Sequence, residues 1–543
     1  MLDPVGLSAS ELKTVSSWVA ERILEDKQSL SIFHKQVMKR LFQSPEARKW
    51  LVDALVEEPS FVQTTMRVRN YILRGKLTFS EKVFDLLFEA KSILVASAAF
   101  VGILLMGRPE GLSVEGHRAL AVFALTAILW ITEGLPLPVT SLLACVLFSL
   151  LNVVPTKDAF VGFGDPTIFF LIGALLLGVA IVRANLHKRI ALLILTRFGK
   201  TPGKMVVGIL LLGVGLTIMM PEHAVGAMLF PVILAIISVA VPDPKRSNFA
   251  KVLLLALAYG ASVGSIGSLL GGGRNPLAIG LYQEITGETV TFLGWMVAAF
   301  PVVLVMALSV LIVLRWMFPL EELDLEPVER HMRLEVKKLG RLRALDKRVL
   351  GIFLTAFLLW ASVGTTVGLA VIAIGVAVVL FAVRAITWED AERGLPWSII
   401  FLYGGAISLG TVLSETGAAR FLAQHSFGWI KDNPYLIMLA LIVIAIYLSQ
   451  VMSNAGAVGV VLPIGLTVMV AADFPPIVAM YVVAMGSGMA FMLPTATPNV
   501  ALIYSSGYIS IGDLLKAGLC LTLISAVVFM TVGWGYWRLI GLF

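Results

Sequence analysis

Four polar clusters interrupt long apolar stretches of this 543-residue chain. They are Pro221-Glu222-His223, Gly271-Gly272-Gly273-Arg274-Asn275-Pro276, Ser453-Asn454-Ala455 and Pro494-Thr495-Ala496-Thr497-Pro498-Asn499. Ser453 and Asn454 offer a hydroxyl and an amide that can bond an oxyanion, while nearby carbonyls can coordinate a hard cation. Arg274 carries a planar guanidinium suited to a carboxylate or sulfate. Glu222 and His223 can take up and release a proton. An uncompensated charge in the middle of a bilayer costs at least a few kcal/mol, so Glu222, His223 and Arg274 are expected to pair with one another or to meet a charged ligand.

The elements that must position these groups are membrane helices. Hydrophobic residues make up 58% of the chain and charged residues 14%, against about 45–50% and 25% in soluble domains. Soluble enzymes, disulfide scaffolds and disordered regulators are disfavoured. A bilayer core needs roughly 20 helical residues, which fits runs near 92–107, 117–134, 137–154, 166–184, 292–316, 349–364, 366–384, 397–414 and 513–540. Residues 204–241 and 435–473 instead form two apolar arms each, broken at Pro221-Glu222-His223 and at Ser453-Asn454-Ala455. Residues 250–283 and 476–508 are apolar stretches broken by the glycine-rich and threonine-proline clusters.

Polar breaks at membrane depth are tolerated where they are buried in protein or line a watery cavity. Matching breaks in two halves point to the binding site of a secondary transporter. Here each half carries one broken hairpin and one broken helix in the same order. Pro221 and Ser453 lie 232 positions apart, as do Pro231 and Pro463, and the Phe-Leu-x-Gly glycines Gly173 and Gly404 are offset by 231. An internal duplication follows. The Lys- and Arg-rich segments 185–204 and 317–348 and the N-terminal region are placed in the cytoplasm. Counting spans then puts the two hairpins on opposite sides, so the expected fold is an all-α polytopic inverted repeat with two re-entrant hairpins and two discontinuous helices. Helix N-termini and free amides would face an anion, and loop carbonyls a cation.

The domain reading is an N-terminal cytosolic helical region over 1–90, a first membrane repeat with its preceding helix over 91–316, a basic cytosolic linker over 317–348 and a second repeat over 349–543. The net charge of +7 belongs to cytoplasmic loops rather than to a nucleic-acid surface. Cys145 and Cys520 read as core residues, Glu133 as a helix-end brace, and His117, His187 and His331 as solvated. An intramembrane enzyme would need a His-Glu-x-x-His run or paired aspartates, and neither occurs. A channel needs no matched hairpins on opposite sides.

From about 115 to 540 the chain resembles the divalent anion/sodium symporter family, transporters of dicarboxylates, citrate and sulfate. The stretches that carry the likeness are Thr132-Glu-Gly-Leu-Pro-Leu-Pro-Val-Thr140, Gly164-Asp-Pro-Thr-Ile-Phe-Phe-Leu-Ile-Gly173, Leu186-His-Lys-Arg-Ile190 and Phe491-Met-Leu-Pro-Thr-Ala-Thr-Pro498. The resemblance implies a homodimer whose protomers have a scaffold and an elevator-type transport domain, with sodium and substrate carboxylates held at the hairpin tips and unwound loops. It assigns substrate contact to Ser453, Asn454, Thr497 and Pro498, and one sodium site to Asn454, Ala496 and Thr497. Ala455 stands where the family has threonine.

The first half departs from the pattern. Pro221-Glu222-His223 replaces the family's Ser-Asn-Thr, and Gly271-Gly272-Gly273-Arg274-Asn275 replaces its Gly-Thr-Pro-Pro-Asn. Three consequences stay open. Arg274, with Asn275 and His223, contacts the anion and stands in for a sodium ion, which favours weaker sodium dependence or anion exchange. Alternatively Glu222 or His223 couples transport to protons. Or a Glu222–Arg274 ion pair locks the first hairpin and touches no substrate. The expectation is a multi-pass carrier of a small di- or tricarboxylate or sulfate-like anion in an inner, cytoplasmic membrane, with a cytoplasmic N-terminus, lipid and a second copy as partners, no organic cofactor, and sodium as the one implied ion. A proton-coupled carrier is the alternative, with an anion channel behind it.

Overall fold

The computed structural model describes the backbone of residues 79–427, 430 and 432–543, with side chains from residue 91 onward apart from Phe427. The helical reading of residues 1–78 lies outside the described residues. Ala90–Phe543 forms one compact unit, and the described residues contain helices, turns and loops but no strand. Among the described residues, ten helices are long and apolar enough to cross a membrane.

Ahead of the first repeat stands α1 (Phe79–Leu105); the repeat itself contains α2 (Val114–Thr132), α3 (Leu137–Leu150), α4 (Pro166–Arg183), α5 (Leu186–Phe198), α6 (Pro202–Met219), α7 (Glu222–Ala240), α8 (Asn248–Ser265), α9 (Arg274–Thr286) and α10 (Phe292–Met317). The linker carries the amphipathic α11 (Glu326–Leu339). The second repeat contains α12 (Ala344–Ser362), α13 (Leu369–Ala382), α14 (Trp397–Glu415), α15 (Ala418–Phe427), α16 (Pro434–Val451), α17 (Asn454–Ala471), α18 (Ile477–Ser487), α19 (Pro498–Ser505) and α20 (Ile511–Val528). α20 continues through a wider turn to Leu539. The hairpin arms run 18 or 19 residues, longer than the roughly 15 that the apolar pattern suggests: α6 and α16 start on a proline at the first helical position, and α7 and α17 start directly after the tip residues Pro221 and Ser453.

The backbone carries the duplication. The starts of α2 and α12, α3 and α13, α4 and α14, α5 and α15, α6 and α16, and α7 and α17 are 230 to 232 residues apart. Left-handed residues repeat at the same interval of 232: Asn152 with Arg384 (φ 50° and 55°) and Asn185 with Gly417 (51° and 74°). Gly173 crosses α13 so closely that an added Cβ would lie 2.5 Å from the Ala373 carbonyl oxygen, and Gly405 crosses α3 with its Cβ position 2.4 Å from Ser141 Cβ. The structural counterpart of Gly173 is therefore Gly405, one residue beyond the sequence match at Gly404. Small residues at such crossings let backbones approach where lipid gives helices no hydrophobic reason to associate.

The ends of each hairpin meet one shared place. At the base of the first, Arg315 donates to the Gly203 carbonyl at 2.8 Å, and Glu321 accepts from the Asn248 and Phe249 amides at 2.5 and 2.8 Å. At the base of the second, Tyr435 and Phe474 both pack on Trp534, with ring centroids 5.1 and 5.7 Å away. Trp537, one turn further, donates to the Ala298 carbonyl at 2.9 Å. Ala298 and Arg315 are separated along α10 by about 25 Å of helix, so the two bases sit toward opposite ends of that helix.

Lipid-facing surfaces follow the same duplication. Phe300, Leu304, Leu308, Ile312 and Trp316 form an exposed stripe on α10, and Leu515, Leu519, Leu523 and Val527 form one on α20. Apolar stripes of this size left outside a packed body mark a membrane-facing surface. α8, by contrast, is almost wholly enclosed. The linker is fastened to the body by Arg189 of α5, which donates to the Leu339, Gly340 and Arg341 carbonyls at 2.8, 2.8 and 3.1 Å. Arg189 also pairs with the buried Asp346 at 3.3 Å.

Candidate functional site

Each broken hairpin is tied to the broken helix of its own repeat. In the first, the chain leaves α6 in an extended turn at Met220, and Pro221 lets α7 begin at Glu222. Ser268 Oγ donates to the Ile218 carbonyl at 2.7 Å, and the Glu222 amide donates to the Gly271 carbonyl at 2.9 Å. In the second, Met452 is extended and Ser453 caps α17, its Oγ accepting the Gly456 amide at 3.1 Å. Thr495 Oγ1 donates to the Gln450 carbonyl at 3.4 Å, and Gln450 Oε1 accepts the Met492 amide at 3.0 Å. The accepting carbonyls, Ile218 and Gln450, are 232 residues apart.

The two repeats then interlock. α7 packs on α19, and α17 packs on α9, so the second arm of each hairpin meets the half-helix of the other repeat. Asn499, at the head of α19, donates its Nδ2–H to the Glu222 carbonyl at 3.0 Å. Its Oδ1 lies against Gly226, where an added Cβ would come within 1.9 Å. A chain of bonds thus runs from the second tip at Gln450, through the second break, to the first tip at Glu222 and on to the first break at Arg274.

Arg274 opens α9, where a cation opposes the helix dipole, and its surroundings compensate. Its Nη2 donates to Ser265 Oγ at 2.5 Å and its Nε to the Ala484 carbonyl at 3.2 Å. Nη1 pairs with Glu222 Oε1 at 3.5 Å. Gly272 and Gly488 leave the space that the guanidinium fills, since a Cβ at either would lie 2.6 or 2.3 Å from it. The structure therefore holds the Glu222–Arg274 ion pair, with the Arg274 side chain only 2% exposed. Asn275 anchors the same break by donating to the Ser265 and Ser268 carbonyls at 2.8 and 2.7 Å. His223 is half-buried and, among the described residues, makes no hydrogen bond or ion pair.

The second half is chemically different. Thr497 caps α19, its Oγ1 accepting the Val500 amide at 3.2 Å, and Pro498 takes the first helical position. Ser453 and Thr497 use their oxygens as acceptors within their own helices, which leaves both hydroxyl protons for an outside acceptor such as a carboxylate. Asn454 Oδ1 is buried with no hydrogen-bond partner, and Ala496 is buried beside Thr497. Neutral oxygen donors with an orphaned amide oxygen fit a sodium ion. In the first half a guanidinium, paired with the Glu222 carboxylate, occupies the break instead.

Sequence reasoning singled out Glu222, His223, Arg274, Asn275, Ser453, Asn454 and Thr497, and the structure binds Glu222, Arg274 and Asn275 into one cluster. It passed over Asn499, Gln450 and Ser265. One signal for Asn499 was available, since Asn275 and Asn499 both stand at the head of a half-helix. His187 was expected to be solvated; it is buried at 3% exposure with Nδ1 unpartnered, because α5 lays that side of its first turn on the body. Glu133 is the left-handed C-cap of α2 (φ 49°).

Comparison with known proteins gives relatives for this arrangement. A sodium-dependent dicarboxylate transporter of Staphylococcus saprophyticus is 30% identical over 468 residues, covering 81% of this chain and 90% of the relative. Its counterpart in a bovine strain of Staphylococcus aureus is 31% identical over 469 residues, covering 81% and 89%. Among solved structures, the YdaH transporter of Alcanivorax borkumensis aligns at a TM-score of 0.47 with 16% identity, over 70% of this chain and 86% of that one. The family model for the sodium:sulfate symporter transmembrane region matches residues 88–543. The chain belongs to the divalent anion/sodium symporter family, a family of multi-pass membrane transporters and not of enzymes.

Proposed function

We propose that this protein is a secondary active carrier of small divalent anions, dicarboxylates first among them. The anion binds where the two repeats meet, between the tips Glu222-His223 and Ser453-Asn454 and the breaks at Arg274-Asn275 and Thr497-Pro498. The observation that carries this reading is the buried bond from Asn499 to Glu222, which joins the tip of one repeat to the break of the other. The opposed hairpin bases on α10 support two re-entrant hairpins of inverted orientation, and the names of the relatives support a dicarboxylate and sodium.

The hydroxyls of Ser453 and Thr497 and the N-termini of α17 and α19 bind the substrate carboxylates. Asn454, with the Ala496 and Thr497 carbonyls, holds one sodium ion, which supplies positive charge to the same carboxylates. In the first half Arg274 takes the place of a second sodium. A fixed cation cannot leave an empty carrier, so sodium dependence is reduced, and wherever the Arg274 charge stays uncompensated exchange of one anion for another is favoured. The hairpins and half-helices, α6–α9 and α16–α19, move as an elevator against a scaffold, in a homodimer in the inner membrane. The N-terminal region 1–90 and the linker 317–348 lie in the cytoplasm.

Counterflow in proteoliposomes tests this. External radiolabelled succinate is expected to enter faster when succinate is present inside, to saturate, and to weaken when sodium is removed from both sides. An ohmic, non-saturating current carried by succinate would sink the carrier reading.

A further inference from the structure

We infer that the Glu222 carboxyl is a proton-exchange site that takes the part of a dissociable cation in the first half. Ionised, it neutralises Arg274; protonated, it frees that positive charge for the transported anion. The inference rests on the carrier reading above and names the ion that resets the first half-site.

The geometry shows a carboxylate that is buried but not locked. Its contact with Arg274 is 3.5 Å, well beyond the roughly 2.7–2.9 Å of a strong charge-assisted bond. The shorter bonds of the guanidinium go to neutral partners, Ser265 Oγ and the Ala484 carbonyl. Glu222 Oε2 is buried with no hydrogen-bond partner. So are Asn499 Oδ1 and Asn275 Oδ1, at the heads of the two half-helices that meet the tip. Carboxylate and amide oxygens only accept, so these three buried oxygens are left without donors. A proton on Oε2 adds one.

Charge balance makes the protonation consequential. With Glu222 ionised, the pair sums to zero and the first half offers a buried dianion no net attraction. Binding a proton forms one O–H bond on a carboxylate lone pair, breaks no other bond, and leaves a net charge of +1 from Arg274. That is the charge a sodium ion would have brought. Release of the proton after the anion departs restores the neutral pair, which lets the empty carrier return.

The titratable groups that face Glu222 are few. α9 presents Arg274, and α14 presents Tyr403, whose hydroxyl lies against Gly273. Glu222's own helix presents His223. α4 meets the tip at Gly178 beside Pro221, on a turn with no titratable side chain. α8 and α19 present Ser265 and Asn499. α5 and α11 also touch α7, but their His187, Lys188, Arg189 and Arg197, and the Glu, Arg and Lys residues of α11, make no ion pair with Glu222.

The test uses the full chain in proteoliposomes with fumarate, a dianion near neutral pH. Counterflow of radiolabelled fumarate into fumarate-loaded liposomes reports the carrier alone. Liposomes without internal anion, holding a pH dye, with equal sodium on both sides and the potential clamped, report the proton. Addition of fumarate outside is expected to acidify the lumen. A tenfold inward proton gradient is expected to raise fumarate accumulation about tenfold for one proton per anion. The pH dependence of counterflow should flatten in Glu222→Gln and persist in Glu222→Asp, whatever their absolute rates. Wild-type counterflow without lumen acidification overturns the proposal and leaves the carrier reading standing. Absence of counterflow overturns the carrier reading and the proposal with it.

Discussion

The Asn499 amide of the second repeat reaches 277 residues back along the chain to the Glu222 carbonyl of the first, at 3.0 Å, and Gly226 is the residue that lets it lie there. The bond joins the two halves at the candidate anion site, away from the lipid-facing surface. It therefore ties the substrate's surroundings to the integrity of the duplication.

Asn499→Ala is expected to cost about 1–2 kcal/mol, since it removes a buried side-chain bond to the Glu222 carbonyl that joins the two halves. Gly226→Ala drives a Cβ to within 1.9 Å of Asn499 Oδ1 and is expected to cost about 1–3 kcal/mol by overpacking. The two residues share one space, so their effects should not add. In the Asn499→Ala background, Gly226→Ala should cost at least about 1 kcal/mol less than in the wild type. Thermal unfolding of the four proteins in detergent measures the cycle, and strict additivity would remove this contact from the account.

The glycines of the two helix crossings, α4 on α13 and α14 on α3, should behave as a pair. Valine at Gly173 meets the Ala373 backbone and valine at Gly405 meets Ser141, in both cases against a helix that cannot yield as a side-chain tip can. Gly173→Val and Gly405→Val are each expected to lose most folded protein. Gly102→Val, a helix position with open space around it, should express near the wild-type level. Size-exclusion profiles of the three variants make the comparison, and a well-folded Gly173→Val would break the equivalence drawn between the crossings.

Asp390 gives a pH-dependent prediction outside the membrane helices. Burial pushes its carboxyl up, but bonds from the Thr387 amide and hydroxyl and the charges of Arg183 and Arg393 outweigh this and hold it below the usual 3.8. A carboxylate depressed on folding stabilises above its unfolded value, and that stability is lost as pH falls through the lower folded value. Asp390→Asn is therefore expected to cost about 0.5–1 kcal/mol at neutral pH, allowing for solvent screening of a partly exposed pair. The gap from wild type should stay constant down to about pH 4 and close only below it. Melting curves across that range decide the matter; a gap that closes near pH 6 would point to another group.

What the sequence made legible was set by local chemistry. Pro221, the Gly271-Gly272-Gly273 run and Thr497-Pro498 break helices by their own backbone preferences, and Ser453 reads as a helix cap, so the four interruptions and their order could be read directly. The interval of 232 between Pro221 and Ser453 reappears in left-handed residues and helix starts. Asn499, Gln450 and Ser265 act through bonds to residues far along the chain, and such pairing leaves no local trace. Gly226 looks like any small residue in a membrane helix until Asn499 is placed against it. The ionisable trio was expected to find partners on energetic grounds, and the structure pairs Glu222 with Arg274 but gives His223 none among the described residues.

The second hairpin tip separates helix capping from substrate binding. Ser453 Oγ accepts the Gly456 amide at 3.1 Å, so Ser453→Ala removes both a cap, costing about 1 kcal/mol, and the hydroxyl proton proposed to bond the anion. Ser453→Asp keeps a capping oxygen while placing negative charge beside the proposed carboxylate site. If the hydroxyl serves only the helix, Ser453→Asp should transport nearly as well as wild type. If it serves the anion, Ser453→Asp should keep its thermal stability yet lose dicarboxylate affinity by tenfold or more. Ala455→Thr, at a half-buried position two residues on, adds a hydroxyl on the same turn and is expected to raise apparent affinity several-fold, worth about 1 kcal/mol for one further hydrogen bond. Concentration dependence of uptake, read beside melting temperature for the three variants, separates the roles: a stable Ser453→Asp with unchanged affinity would move the anion away from this tip.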